Sequence, residues 1–305
     1  MDFGKLPSVD HVDFTLPPDP PQNAAVLGAL PARTQPPLVY IGATGYNMKA
    51  WVDRWYPAGA KDAAFLGHYG RQFNTIEHNT THYRIPDYAT VARWREEAPE
   101  DFRYCPKIPQ TISHARDLGL SGRETGIFCD AIRGLGRQLG CCFMQLPPHF
   151  STQNLPVLRR FLEAFPGDIP LAVEVRHETF FKPTIAAEDF FQLLQSQGVS
   201  TVITDVAGRR DVCHLRLSTG RALIRFVGNA LHPSDYTRIQ DWAGRLAGWF
   251  DGGLQEVYFF SHEPDNLLAP DLAAFAADAF ARAIPGALLR GPAPLKPPAE
   301  QGKVF

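Results

Sequence analysis

Eight short apolar runs recur along this 305-residue chain, and most of them end in a polar residue that could take part in chemistry. Segments with the helical spacing of apolar residues lie between most of these runs. Strands that alternate with helices build a parallel sheet, and eight such units close into a barrel. We therefore predict a single α/β domain with a (β/α)8, TIM-barrel-like fold, whose strands cover residues 38–41, 74–77, 102–107, 140–145, 171–174, 200–205, 222–226 and 256–260.

The two ends of the chain depart from this pattern because they are rich in proline. Proline lacks a backbone N–H and disrupts helix interiors and central strands. We expect residues 1–37 to form an extended or partly disordered extension without a helix. Residues 38–290 should form the barrel, and residues 291–305 a tail that resembles the extension. Within the barrel, Asp87 is the expected N-cap of a helix over residues 88–97.

The carboxyl ends of barrel strands open onto one face, where the active sites of such barrels lie. Glu77, Lys107, Glu174 and Asp205 end the second, third, fifth and sixth runs, and we predict that they are catalytic. Glu77 and Glu174 would serve as base and acid, since carboxylates held close together have shifted pKa values. Asp205 would orient one of them or a metal ion.

Lys107 has two roles open to it. Its amine could bind a phosphate or carboxylate, or it could form a Schiff base if it is desolvated. We favour anion binding, because further cationic side chains, Arg176 and Arg225 among them, are expected at the same rim. Asn79 and Gln145 would then fix the orientation of the anion by hydrogen bonds.

Other residues near the strand ends are candidates for substrate contact. Tyr46 and Tyr83 lie close to polar strand ends, so their rings could stack on a ligand or simply pack on the barrel mouth. His177 follows Arg176 directly and is a further binding candidate. His78 or His177 could also complete a site in which the carboxylates hold a divalent cation. A purely structural alternative is that Glu174–Arg176 and Asp205–Arg225 form ion pairs that close the barrel top.

The composition argues against several function classes. A formal net charge of −2 gives no bulk attraction to nucleic acid or to a membrane surface. No apolar run reaches the roughly 18 residues of a membrane span, and no basic segment of secretory type opens the chain. The GxGxxG and GxxxxGK[ST] motifs are absent from the sequence, so no nucleotide cofactor is expected.

The five cysteines form no CxxC pair and no metal-finger spacing. They indicate reduced thiols in a cytoplasmic protein. Taken with the charge, this pattern leads us to expect a small-molecule ligand, with no membrane and no nucleic acid as partners. The oligomeric state is left open, and a divalent metal stays an open alternative as cofactor.

Six segments carry patterns that occur together in one family. They are residues 41–46 (IGATGY), 55–57 (WYP), 73–83 (FNTIEHNTTHY), 102–107 (FRYCPK), 144–148 (MQLPP) and 172–177 (AVEVRH). In this order they resemble the DUF72, or YecE-like, family, whose most specific signature is F-[ND]-T-[VI]-E-x-N-x-[TS]-F-Y. The resemblance runs from about residue 40 to residue 283, which is nearly the whole of the predicted barrel.

The resemblance implies a TIM-barrel-like fold with its site at the carboxyl face of the barrel, and it implies no reaction because the family is uncharacterised. The chain departs from the family on the last strands. Many members carry R-[LF]-H-G and F-[NS]-N-[DT] steps where this chain has residues 225–229 (RFVGN) and 259–266 (FFSHEPDN). We expect Arg225, Asn229 and His262 to shape a substrate pocket that differs from that of those members.

The function predicted from the sequence is an enzyme that uses carboxylate acid–base chemistry, with or without a metal, on a small anionic or sugar-like substrate. Hydrolysis, lyase chemistry and isomerisation are all open. One alternative is a non-catalytic barrel that binds a metabolite or partner, and another is a metal-dependent phosphodiester hydrolase.

Overall fold

The computed structural model describes residues 3–295, and within them eight parallel strands form the predicted barrel. The strands are β1 Leu38–Ala43, β2 Thr75–His78, β3 Arg103–Pro106, β4 Cys142–Gln145, β5 Leu171–Glu174, β6 Ser200–Asp205, β7 Arg221–Val227 and β8 Glu256–His262. They follow the order β3-β2-β1-β8-β7-β6-β5-β4. Two isolated bridges, Tyr104–Leu139 and Lys107–Phe143, link β3 to β4 and nearly close the barrel. The predicted fold class is confirmed.

A ninth strand, β9 Leu288–Arg290, pairs with the amino-terminal half of β1, while β2 pairs with its carboxyl-terminal end. Close approach of β1 to β2 depends on Gly42, because a Cβ there would collide with the backbone carbonyl of Thr75. Ten α-helices and six short 3-10 turns connect the strands of the described chain.

The helices are α1 Gln22–Gly28, α2 Phe65–Gln72, α3 Thr80–Tyr83, α4 Tyr88–Glu97, α5 Gln110–Ser113, α6 Glu124–Arg133, α7 Leu155–Ala164, α8 Ile185–Ser196, α9 Pro233–Asp251 and α10 Ala269–Ala283. Asp87 caps α4 as expected, since its Oδ1 accepts a hydrogen bond from the backbone N–H of Thr90. No helix within residues 3–295 is long and apolar enough to cross a membrane.

The barrel interior beneath the carboxyl face contains a cluster of apolar side chains. Side chains alternate across a strand, so residues two apart point to the same side. The interior cluster contains Tyr40, Cys105, Cys141, Phe143, Ala172, Val202, Leu223, Tyr258 and Phe260. A larger apolar cluster lies between the strands and the surrounding helices. Residues two positions beyond the interior cluster must therefore form the next layer towards the carboxyl face.

The expectation that residues 1–37 contain no helix is wrong. Residues 22–28 lie between Pro21 and Pro31, contain no proline and form α1, whose Val26 and Leu27 are buried. Asn23 fixes this helix to the barrel: its Nδ2 donates to the Leu215 carbonyl at 2.9 Å, and its Oδ1 accepts from the Leu217 N–H at 2.9 Å. Of the expected tail, residues 296–305 lie outside the described chain.

Candidate functional site

Six charged or polar side chains form a layer directly above the apolar interior. Each lies two residues beyond an inward-facing residue of the same strand or its direct continuation, which places it on the inner side of the barrel. We call this set the polar layer; its members are Glu77, Lys107, Gln145, Glu174, Arg225 and His262. Glu77, Glu174 and Arg225 are at most 1% exposed, and His262 and Lys107 are 6% and 8% exposed. The strand alternation thus brings the expected candidates together.

Arg225 binds both glutamates of the polar layer. Its Nε and Nη2 donate to the two carboxylate oxygens of Glu77 at 2.8 and 2.9 Å, and its Nη1 donates to Glu174 Oε2 at 2.6 Å. Burial raises the pKa of Glu77, but the Arg225 guanidinium and His262 outweigh it, so the pKa lies well below its ordinary value. Glu77 is therefore ionised at neutral pH.

Glu174 is held by a second arginine as well. Arg176 Nε donates to Glu174 Oε1 at 2.7 Å, and Arg176 Nη2 donates to Gln145 Oε1 at 2.9 Å. Burial raises the pKa of Glu174, but Arg176 and Arg225 outweigh it and leave the pKa below its ordinary value. The Glu174–Arg176 ion pair suggested from the sequence is present.

His262 contacts the other side of Glu77. Its Nε2 lies 2.9 Å from Glu77 Oε2. Since the carboxylate is ionised, the proton of this hydrogen bond must be on the histidine, which assigns the Nε2–H tautomer. Burial lowers the pKa of His262, with the Glu77 charge acting in the opposite direction, so the ring is neutral at pH 7.

The remaining ring nitrogen of His262 faces open space. Nδ1 has no hydrogen-bond partner within residues 3–295, and it is not among the fully buried polar atoms that lack a partner. His262 lines a cavity of about 870 Å³ at the carboxyl face. A neutral imidazole with Nε2 protonated carries a lone pair on Nδ1. The site therefore presents a bare acceptor nitrogen to whatever occupies the cavity.

The cavity contains most of the residues expected to contact a substrate. It is lined by Glu77, Asn79, Tyr83, Lys107, Gln145, Arg176, Arg225, Asn229 and His262 from the predicted set. Asn79 Nδ2 donates to Glu77 Oε1 at 2.9 Å, whereas Tyr83 lies at the edge with 76% of its surface exposed. Tyr46 and His177 do not line it.

Those two residues have local structural contacts instead. The Tyr46 carbonyl accepts a hydrogen bond from the Tyr56 hydroxyl, and the Tyr46 ring is 6.4 Å from that of His78. His177 caps the short 3-10 turn Glu178–Phe180, where its Nδ1 accepts from the Thr179 N–H at 3.3 Å.

Asp205 lies apart from the polar layer, contrary to the expectation that three carboxylates meet at one rim. Alternation from the inward-facing Val202 points Thr204 into the barrel and Asp205 outwards, towards α9. There Asp205 pairs with Arg238 and Arg210 and accepts from Trp242 Nε1 at 2.8 Å. The suggested Asp205–Arg225 ion pair is wrong, because Arg225 binds Glu77 and Glu174.

The loop after β7 adds residues that the sequence did not single out. Ala230 and Leu231 both have positive φ angles, of 58° and 59°. The backbone N–H of Ala230 donates to Glu263 Oε2 at 2.9 Å. Burial, with Asp235 adding to it, raises the pKa of Glu263 to about 7. Two consecutive residues in the left-handed conformation form this turn. Ala and Leu rarely adopt that conformation, so the sequence does not indicate the turn.

A segment at the start of the described chain covers part of the cavity. We call residues 3–10 the N-terminal strap. The Phe3 ring centroid lies 4.2 Å from the guanidinium of Arg176, and residues 4–10 line the cavity. The Gly208 N–H donates to the Gly4 carbonyl at 2.8 Å, which fixes the strap to the loop after β6. The proline content of this region gave no sign of that placement.

Metal ligation was an open alternative for the site carboxylates. In the part of the chain that the structure describes, no group of three or more His, Cys, Asp or Glu residues is placed to hold a metal ion. The oxygens of Glu77 are occupied by Arg225, Asn79 and His262. His78 is buried against Trp94, with a 4.2 Å distance between ring centroids, and does not line the cavity.

The chain is similar to known proteins in sequence and in fold. The profile of a family described as "Protein of unknown function DUF72" matches residues 40–297. UPF0759 protein YecE of Escherichia coli K12 is 33% identical over 253 residues, which cover 77% of this chain and 90% of that protein. UPF0759 protein YunF of Bacillus subtilis 168 is 28% identical over 156 residues, covering 48% of this chain and 53% of that protein.

Two crystal structures of DUF72 family proteins share the fold. One, from Enterococcus faecalis V583, superposes with a TM-score of 0.62 at 19% identity and covers 79% of this chain and 96% of its own. The other, from Thermotoga maritima MSB8, has a TM-score of 0.57 at 21% identity and covers 80% and 98%. At these identities the likeness concerns the fold alone.

Proposed function

Because this chain belongs to the DUF72 family, whose description assigns no function, we propose one from the site itself: an enzyme that acts on a small anionic or sugar-like molecule by acid–base chemistry at the carboxyl face of the barrel. The cavity of about 870 Å³ is of the size that encloses a small molecule. Its floor carries acidic, basic and amide groups, most of which are buried.

One observation carries the proposal: His262 is neutral, its tautomer is fixed by Glu77, and its free Nδ1 faces the cavity. A general base needs an available lone pair at the operating pH and a fixed orientation towards its proton. A carboxylate behind the ring supplies both, and it stabilises the imidazolium that forms when the proton arrives. His262 is thus the proposed proton acceptor, and Glu77 is a positioning residue.

This assignment changes the roles that the sequence suggested for the two glutamates. A general acid must hold a proton near neutral pH, which requires a raised pKa. Glu77 and Glu174 both have lowered pKa values because arginines are bound to them. We therefore propose that Glu174 fixes Arg176 and Arg225, and that it neither gives nor takes a proton during the reaction.

The substrate class follows from the groups that surround His262. Amide side chains of Asn79, Gln145 and Asn229 line the cavity and can bind hydroxyl or carboxylate oxygens. Lys5 supplies positive charge in the strap, and Lys107 places an amine on the floor. This mixture fits a polyhydroxylated or anionic molecule of low molecular weight.

The experiment is hydrogen exchange at carbon in D2O, followed by proton NMR on a pool of sugars, sugar phosphates and small carboxylates. The wild-type protein should remove the C–H signal of at least one compound. His262→Gln should abolish that exchange, and the exposed His149→Gln control should retain it. Compounds that raise the melting temperature of the wild type but never exchange would instead indicate a non-catalytic binding barrel.

We also propose that the protein resides in the cytoplasm. All five cysteines are buried and unpaired. Free thiols in this number fit a reducing compartment.

A further inference from the structure

Lys107 is a buried amine without a counter-ion. It ends the third strand run on the cavity floor, and 8% of its surface is exposed. Nζ donates one hydrogen bond, of 3.1 Å, to Gln145 Oε1. Among residues 3–295, every carboxylate oxygen lies more than 4.0 Å from Nζ, so Lys107 forms no ion pair there. The two glutamates nearby are already bound by arginines, so their charge is largely compensated.

These surroundings favour the neutral amine. Burial, with Arg225 acting in the same direction, lowers the pKa of Lys107 to about 8, although Glu77 and Glu174 offset part of the effect. At pH 7 the neutral fraction of such an amine is roughly two orders of magnitude above that of an ordinary lysine. A neutral, desolvated lysine is a nucleophile towards carbonyl carbon.

We propose that Lys107 forms a Schiff base with an aldehyde or ketone, which makes small carbonyl compounds the substrate class of this site. The inference rests on the proposed function, because it supplies the electrophile that acidifies the C–H bond next to His262. An amine without an ion pair of its own suits an anion as well as a carbonyl carbon, but only attack on a carbonyl leaves a covalent adduct.

The chemistry balances without a further reactant. The Nζ lone pair attacks the carbonyl carbon, and the C=O π electrons pass to oxygen, which takes up a proton as nitrogen loses one. The carbinolamine then expels its oxygen as water when a second proton reaches it, and a C=N bond forms. The resulting iminium draws electrons from the α C–H bond, whose proton passes to His262 Nδ1 and leaves an enamine.

The test is reductive trapping of the full-length protein. Glycolaldehyde and pyruvate are the probes, sodium cyanoborohydride is the reductant, and intact mass and peptide mapping locate the adduct. We expect one adduct per chain at Lys107, with the mass of the probe less one oxygen. Its rate should rise from pH 6 to about pH 8 and then level off, since Lys107 titrates near pH 8.

Three variants make the result specific. Lys107→Arg and Lys107→Met should both remove the adduct while circular dichroism shows a folded protein, so failure of one to fold leaves the other as the test. Lys182→Arg changes an exposed lysine that pairs with Glu178 and should leave the adduct in place. Labelling of Lys107 no faster than that of Lys182 by both probes overturns the inference.

His262→Gln separates this inference from the proposed function. It should keep the Lys107 adduct and lose α-deuterium exchange of the probe. An adduct whose α-hydrogen exchange does not depend on His262 would contradict the proposed base and leave the Schiff base standing. Exchange that depends on His262 but occurs without any Lys107 adduct would support the proposed base and contradict the Schiff base.

Discussion

At the residue scale, Arg225 fixes both site glutamates through three hydrogen bonds of 2.6 to 2.9 Å. It lies two residues beyond Leu223, so it must point into the barrel, where it is 1% exposed. An arginine buried at this depth needs charged partners, because an unpaired ion in the interior is strongly disfavoured. The fold as well as the proposed chemistry therefore requires Glu77 and Glu174.

Glu77→Gln should therefore destabilise the protein. The change removes one of the charges that compensate Arg225 and weakens the bidentate contact. Loss of one partner from a buried ion pair costs roughly 3–5 kcal/mol in the free energy of unfolding. Urea denaturation measures it. Glu178→Gln, on an exposed ion pair with Lys182, is the control and should show no measurable change; equal stability of the two variants would contradict the account.

His78 should make the protein sensitive to acid. Burial lowers its pKa to about 4, against 6.5 for the unfolded chain. Between these values the unfolded state binds more protons, so stability falls as the pH drops from 6.5 to 4, by up to about 3 kcal/mol. His78→Phe, with no group to titrate, should lose that component.

The measurement is urea denaturation of both proteins at several pH values from 7.5 to 4. The two ring nitrogens of His78 are buried and have no hydrogen-bond partner, so the phenylalanine variant should be no less stable than the wild type at pH 7.5. Parallel pH profiles for the two proteins would show that His78 does not titrate as its burial implies.

Strand alternation explains which site residues could be predicted and which could not. Run ends at Glu77 and Glu174 proved to point inwards, but the same criterion selected Asp205, which points outwards. The sequence marks where a strand ends but not which of two adjacent residues faces the interior. Thr204 holds the inward position beside Asp205, and its hydroxyl is buried without a partner.

At the element scale, the loop between β7 and α9 is shaped by contacts from other segments. Two carboxylates fix it: Asp235 accepts from the Asn229 N–H at 2.8 Å, and Glu263 accepts from the Ala230 N–H. Non-glycine residues with positive φ persist only where their surroundings enforce them. Local sequence could not reveal this loop, whereas the strands, which depend on apolar runs, were predicted closely.

Gly228→Ala should disrupt this loop. An added Cβ would collide with Glu263 Oε1 and come within 3.0 Å of Leu272 Cδ2. Overpacking of this kind costs about 1–3 kcal/mol. Gly244→Ala in α9 is the matched control, because no atom lies within 4 Å of its added Cβ and alanine favours a helix.

Thermal denaturation of the two alanine variants distinguishes them. The melting temperature should fall for Gly228→Ala and stay level or rise for Gly244→Ala. Equal melting temperatures would mean that the β7–α9 loop yields to the added methyl group and does not hold Glu263 in place.

At the scale of the whole molecule, the barrel and the segment before it together enclose the cavity. The N-terminal strap stacks Phe3 on Arg176 and binds Gly208, so residues far from the polar layer in sequence cover part of its cavity. The proline-rich composition predicted an extended chain but carried no periodicity that could place it. The contacts of Asn23 in α1 and of Gly4 with Gly208 show how the segment is attached.

Deletion of residues 3–10 should expose the cavity floor. Acetylation of Lys107 by acetic anhydride, followed by peptide mass spectrometry, measures access to the amine without requiring a Schiff base. We expect the rate at Lys107 to rise several-fold in the deletion variant, while the exposed Lys182 reacts at an unchanged rate. An unchanged rate at Lys107 would mean that the strap does not limit entry.

The proposed chemistry requires a neutral His262 that is protonated on Nε2, is held by Glu77 and offers Nδ1 to the substrate. Nitrogen-15 NMR of the histidine-labelled protein, titrated from pH 8 to pH 5 and assigned with His262→Gln, tests it without a substrate. We expect the Nε2–H tautomer at pH 7 and an apparent pKa below 6.5. A ring protonated on Nδ1, or on both nitrogens, at pH 7 would contradict it.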